Sequence, residues 1–241
     1  MRCVPLVAAA VCPHPPLAVP ELAAGAAAEL DDLRTACDEA VARLARAKPR
    51  MLCVVGADDT TGEYSFPFRG SFSPWGVPLE VRLGAGSPEP TLPLSLLMGL
   101  WWVRRAFRVD GSVGYRMLGV DRAASAGDCA RWGRIISSTS RWALLVVGDG
   151  SACRGIKSPG YHDPRADPFD AAVAAALGTA DLDTLLAVDP VEAAELRAEG
   201  RASWQVLAGA AAASGTGWRA DLLYDQAPYG VGYFVASWTP A

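Results

Sequence analysis

RWALLVVGDGSACRGIKSPGYHDPRADPFDAAVAAAL, residues 141–177, reads as a buried strand, a glycine loop and then a capped helix. Trp142 to Val147 is a continuous apolar run that stops at Gly148, the pattern of a central strand covered on both faces of an α/β sheet. Asp167 is placed to cap exposed N–H groups, and Pro168 to fill the first helical position, where its missing donor costs nothing. Between strand and helix lies a long polar loop punctuated by Gly and Pro, and such a loop inside a compact α/β unit is functional or disordered. Ligands of open α/β sheets sit beyond the carboxyl ends of strands, which makes Gly148 to Arg165 the first place to look for a site.

Outward from this unit the strand and helix patterns alternate. Val4 to Val11 reads as a first strand that delivers Cys12, Pro13 and His14 to its carboxyl end. Glu21 to Lys48 reads as one long or broken helix, acidic at its start and basic at its end as the macrodipole favours. Met51 to Val55 is a second buried strand, ending in Gly56-Ala57-Asp58-Asp59. Tyr64 to Trp75 is aromatic and turn-rich, Leu79 to Leu83 a short strand, and Leu94 to Phe107 a helix bearing Trp101 and Trp102. Those two tryptophans are adjacent and cannot share one narrow core stripe, so a subunit contact and a homo-oligomer are expected. Tyr115 to Val120 reads as a strand, and Ala123 to Ile136, Asp181 to Val188, Val191 to Glu199 and Ser203 to Ala213 as helices. Leu222 to Tyr224 and Val231 to Ser237 flank a turn-forming stretch and predict a closing hairpin. The expectation is one α/β domain over residues 1–241, a three-layer α/β/α arrangement around a mostly parallel sheet.

Composition narrows the function. A formal net charge of −4 gives no basic footprint, so neither nucleic acid nor an anionic membrane is an expected partner. Hydrophobic residues make up 51% and charged residues 20%, which supports a folded core. The six cysteines form no C-x-x-C pair, which removes zinc-ribbon and thioredoxin-like readings and suits buried thiols in a reducing cytoplasm. The apolar start from Cys3 to Cys12 has a signal-peptide length, but Pro5 interrupts it and His-Pro-Pro follows where small residues mark cleavage. No apolar run reaches the roughly 20 residues of a membrane span.

Familiar catalytic signatures fail one by one in the central loop. Gly148-Asp149-Gly150 begins a dinucleotide fingerprint whose third glycine would fall at Cys153. Ser151 follows a strand as a hydrolase nucleophile does, yet Asp149 and Cys153 stand where the nucleophile elbow needs glycines. His14 and His162 are the only histidines, so no three-histidine mechanism is available.

Four motifs in order carry a resemblance. Cys-Pro-His-Pro-Pro (12–16), Gly-Asp-Gly-Ser (148–151), Pro-Gly-Tyr-His-Asp-Pro-Arg (159–165) with Phe169-Asp170, and Ala-Pro-Tyr-Gly-Val-Gly-Tyr (227–233) together resemble the catalytic B-subunit-like (LigB-like) family of class III extradiol ring-cleavage dioxygenases, related to Memo-type proteins. The resemblance implies a cleft at one end of the sheet, with ferrous iron held by two histidines and a carboxylate, and a further histidine as acid/base. His14 matches the first ligand, and Glu199 stands as the carboxylate. At the second histidine the chain offers Asp58 and Asp59, and at the acid/base position Ala152, which cannot transfer a proton. His162 is the one candidate replacement base. The expected cleft is lined by His14, Asp58, Asp59, Asp149, Ser151, Ala152 and Arg165, with His14, Asp58, Asp59 and Glu199 as donors to a divalent metal (Fe, Mn, Mg or Zn). Asp163, Arg165 and Asp167 read as a local ion-paired loop. Three roles follow: a divergent family member with an incomplete metal site that binds a small molecule or partner; a working ring-opening dioxygenase with an atypical ligand set; or a scaffold that uses exposed tryptophans as its contact surface.

Overall fold

The structure is a computed structural model and describes residues 6–86, 91–107, 111–136 and 141–241. In chain order it contains β1 (Leu6–Cys12), α1 (Pro20–Ala23), α2 (Asp31–Arg46), β2 (Met51–Asp58), β3 (Gly62–Tyr64), β4 (Phe68–Ser71), β5 (Glu80–Leu83), α3 (Leu94–Ala106), β6 (Gly114–Asp121), α4 (Ala126–Ile135) and β7 (Trp142–Val147). After these come α5 (Ala166–Thr179), α6 (Leu182–Ala187), α7 (Pro190–Glu195), α8 (Arg201–Ser214), β8 (Trp218–Gln226) and β9 (Tyr233–Pro240). A seven-stranded sheet runs β3-β6-β2-β7-β1-β9-β8, and β4 and β5 form a separate ribbon. Its centre, β6-β2-β7-β1, is parallel, with Val146 paired to Val55 on one side and Val11 on the other. The edges are antiparallel, and the C-terminal pair is the expected hairpin.

The period-2 alternation of the strands divides the core into two layers. Leu144 and Val146 of β7 pack with Val11 and Val55 against α4, α5 and α8, where Trp204 and Leu207 lie. Leu145 and Val147 face the other way, with Ala10 and Val54, against α2 and α3. All six residues of β7 are buried, as expected of the middle strand of three layers. The architecture is therefore α/β/α. Helices α4 and α8 cross closely because Gly133 and Gly209 face each other's backbone: a Cβ on Gly209 would stand 2.3 Å from the Ala130 carbonyl oxygen.

Three expectations need correction or a boundary. Val4 and Cys3 lie outside the described residues. Helix α5 begins at Ala166 with Arg165 at its N-cap, two residues before the predicted Asp167 cap. Asp163 takes that role upstream by accepting the Arg165 N–H at 2.9 Å, and the Asp167 carboxylate accepts from Arg154 Nε at 2.8 Å instead. The tryptophans of α3 are both buried, because the helix is covered all round from Ser95 to Val103. Trp102 donates its indole N–H to the Pro13 carbonyl at 2.9 Å, and Trp101 lies edge-on to it beneath the Arg105 guanidinium. The exposed aromatic face on which the oligomer and scaffold expectations rested is thus absent from α3. The five described cysteines are free and buried, and burial pushes the Cys53 thiol up to about 12. Among the described residues no helix is long and apolar enough to cross a membrane.

Candidate functional site

The carboxyl ends of the parallel strands carry the site. Past β1, the Trp102 indole fixes Pro13 and sets the position of His14, which is buried. Past β7, Gly148 donates its N–H to the Cys12 carbonyl at 3.0 Å, and Asp149 turns towards His14. Asp149 Oδ1 accepts the His14 backbone N–H at 2.7 Å and stands 3.2 Å from Nδ1 of the ring, within ion-pair range but off the line of a good hydrogen bond. One carboxylate therefore holds both the backbone and the imidazole of His14.

Glu199 reaches the same edge by backbone docking. The Gly200 N–H donates to the Asp149 carbonyl at 2.8 Å, and a Cβ on Gly148 would lie 2.2 Å from Gly200 Cα, so the close approach of the two segments needs glycine at 148; a Cβ on Gly200 would instead meet the Trp204 ring at 2.2 Å. Past β6, the Arg122 N–H donates to the Asp58 carbonyl at 3.1 Å, which ties Arg122 to the end of β2. Its guanidinium then spans two carboxylates, Nε to Glu199 Oε2 at 2.5 Å and Nη1 to Asp59 Oδ1. The Asp58 carboxylate accepts the Tyr64 hydroxyl at 2.8 Å, and that bond together with burial raises the Tyr64 pKa.

Charge in the cleft acts on His14. Burial pushes its pKa down, but the adjacent Asp149 and the more distant Glu199 outweigh both burial and Arg122, and leave it above 6.5. Tyr233 lies on the same side, its pKa raised by burial and by the Asp149 charge.

Beneath the cleft the 148–153 loop is held from two directions. Gly150 N–H donates to the Gly232 carbonyl at 2.7 Å and Gly232 N–H to the Ser151 carbonyl at 2.8 Å, so the β8–β9 turn clamps the loop. The Ser151 N–H donates to Asp170 Oδ1 at 2.8 Å, and its hydroxyl donates to the Leu196 carbonyl while accepting the Cys153 N–H. Ser151 is fully buried and is a strut for the loop. Burial drives the Asp170 carboxyl up to about 7, against the pull of the Ser151 N–H and Arg154.

The remaining predicted residues are placed as follows. Ala152 is buried, its N–H on the Leu196 carbonyl. His162 does not turn into the cleft: it is exposed, in a backbone bridge with Arg154. Arg165 points away to Asp163 at 2.7 Å and Glu195 at 2.6 Å; it is exposed and is not a wall of the site. Among the four expected metal donors, Asp58 is bonded to Tyr64, and Asp59 and Glu199 are joined through Arg122. No group of three or more His, Cys, Asp or Glu side chains placed to hold a metal ion occurs among the described residues. The donor set does not fit the two-histidine, one-carboxylate centre that the resemblance implies.

Sequence reasoning missed Arg122, which the strand-end rule would have flagged as the residue that follows β6. It also missed Arg201, a buried residue in an apolar helix pattern. Beside the cluster, between α7 and α8, opens a cavity of about 250 Å³ that Arg122, Arg197, Glu199 and Arg201 line together with alanines.

No protein-family model matches the sequence, and no curated protein matches it. Among solved structures the chain is similar to the crystal structure of the uncharacterized protein JW3007 from Escherichia coli K12, with a TM-score of 0.51 and 16% identity over 97% of this chain and 99% of that one. At that identity the likeness shows the fold alone.

Proposed function

We propose that this chain is a divergent relative of the extradiol dioxygenases that binds a small organic molecule at the carboxyl edge of its sheet and does not open an aromatic ring. The observation that carries this reading is Arg122, whose guanidinium lies between Asp59 and Glu199 in a cleft with a single imidazole. A fixed organic cation balances those carboxylates, and metal binding at them would require Arg122 to leave. Proton transfer by a positioned base contributes roughly 10²–10⁴-fold in rate, and Ala152 offers none. What the cleft keeps is recognition chemistry. His14, inclined to protonation by Asp149, and Arg122 both present N–H groups suited to ligand oxygens.

The test is an anaerobic preparation supplied with ferrous ion and a reductant, then mixed with catechol and air while the absorbance of the ring-fission product is followed. The expected result is no product above the protein-free control. Turnover with stoichiometric iron would reject the reading in favour of a working enzyme with His14, Asp58 or Asp59, and Glu199 as ligands.

A further inference from the structure

We infer that the cavity between α7 and α8 is a binding site for a small organic anion, a short aliphatic carboxylate whose charged end meets Arg201 and Arg197 and whose body lies on an alanine wall. The inference deepens the reading of the cleft as a binding site and rests on it.

The first observation is a charge without a counter-ion. Arg201 is 2% exposed, yet its guanidinium donates only to neutral acceptors: the Ala124 carbonyl at 2.6 Å, Gln205 Oε1 at 2.9 Å, the Cys129 sulfur at 3.8 Å and the Arg122 carbonyl. Gln205 is itself fixed for this purpose, with its amide N–H groups on the Leu186 and Val188 carbonyls. Among the described residues no carboxylate forms an ion pair with Arg201, although a buried charge is costly unless paired. Neutral acceptors orient the group and leave N–H donors over.

The second observation concerns Arg197. It closes α7 with a left-handed backbone, φ 54°, at the position after a helix where glycine is favoured, and the Ala198 N–H to Ala193 carbonyl bond at 2.8 Å completes the turn. Its guanidinium donates to the Pro159 carbonyl at 3.0 Å and makes no ion pair among the described residues.

The third is the shape and charge of the cavity. Arg122, Arg197 and Arg201 face it against Glu199 alone, and Pro190, Ala193, Ala194, Ala198 and Ala202 form the rest of its wall. A cavity of about 150 Å³ accepts benzene, so this one, at about 250 Å³, accommodates a short carboxylate. Glu199 is occupied by Arg122, so the unbalanced positive charge is that of Arg197 and Arg201.

The experiment is an amide NMR titration of the full chain with three probes: butyrate, its neutral isostere butyramide, and inorganic phosphate, which has charge without an apolar body. Butyrate should give saturable shifts at Ala193, Ala194, Ala198 and Ala202, with butyramide and phosphate each weaker by about tenfold or more. Arg197→Gly should weaken butyrate by about tenfold or more without lowering the thermal midpoint, because glycine suits the left-handed position. Arg201→Lys, which keeps the charge but not the planar fork, should weaken it too. Equal binding of butyramide, undiminished binding by Arg197→Gly, or shifts that fall outside the cavity would overturn the inference. Failure of butyrate to bind while catechol stays intact sinks the anion site and leaves the broader reading; ring opening by the wild-type chain sinks the broader reading whatever butyrate does.

Discussion

Replacing Asp170 with asparagine should flatten the dependence of stability on pH. The Asp170 carboxyl is 1% exposed; Oδ1 accepts the Ser151 N–H at 2.8 Å, while Oδ2 has no hydrogen-bond partner and lies 3.6 Å from Arg154 Nη1. Burial outweighs both helpers and raises the group from 3.8 to about 7. A carboxyl that resists ionisation in the fold binds more protons folded than unfolded between those two values. Its contribution to stability is therefore full below pH 3.8, is lost as pH rises to about 7, and stays lost above. At 1.36 kcal/mol per pH unit the loss has an upper bound of about 4 kcal/mol. Asparagine keeps a carbonyl for the Ser151 N–H and has nothing to ionise. Urea unfolding of both proteins at pH 5 and pH 8, with equal m values, measures the difference. At pH 8 the variant should be more stable by about 1–4 kcal/mol, and at pH 5 the gap should shrink to less than half of that. Parallel stability curves, or a variant weaker at pH 8, would mean that Asp170 is not held protonated by its burial. His14 tilts the same way, since its raised pKa gives stability below 6.5 that is lost as pH rises through its folded value, and it cancels when variant and wild type are subtracted.

Asp149→Asn removes the charge that holds His14 up, so burial should bring its pKa below 6.5, whereas the wild type titrates above; the Cε1–H resonance followed against pH reads this, and an unmoved midpoint contradicts it. Trp102→Phe leaves the buried Pro13 carbonyl without its donor and should cost about 1–3 kcal/mol in urea unfolding, with His14 resonances shifted; a change below about 0.5 kcal/mol would mean that the indole bond does not position the β1 end.

The fold was legible because its signals are local. Trp142–Val147, Met51–Val55 and the run into Val11 are short, apolar and stopped by polar or glycine turns, and each became a central parallel strand. Boundaries slipped where two residues competed for one job, as Asp163 and Asp167 did at the start of α5. Amphipathic reasoning failed at α3, because a helix covered by the sheet, by α2 and by the β4–β5 ribbon has no solvent stripe for its pattern to report. The site was half legible. His14, Asp149 and Glu199 follow strand or motif cues, but the partner of Glu199 depends on how far β6 runs beside β2, a register that one sequence does not display. Arg201 gave no sequence cue, and Asp170 was visible only as part of a motif, for a related reason: burial of a charged side chain depends on how helices pack, and neither residue breaks the helix pattern it sits in.

If Arg122 takes the place of a metal ion, removing its guanidinium should open the cleft to one. Calorimetric titration with Mn²⁺, on the wild type and on Arg122→Ala, compares the cleft with and without its guanidinium. The wild type should show no one-equivalent binding, and Arg122→Ala should bind Mn²⁺ in a way that disappears when His14 or Glu199 is also replaced. One equivalent of Mn²⁺ bound by the wild type and lost in Glu199→Gln would contradict it.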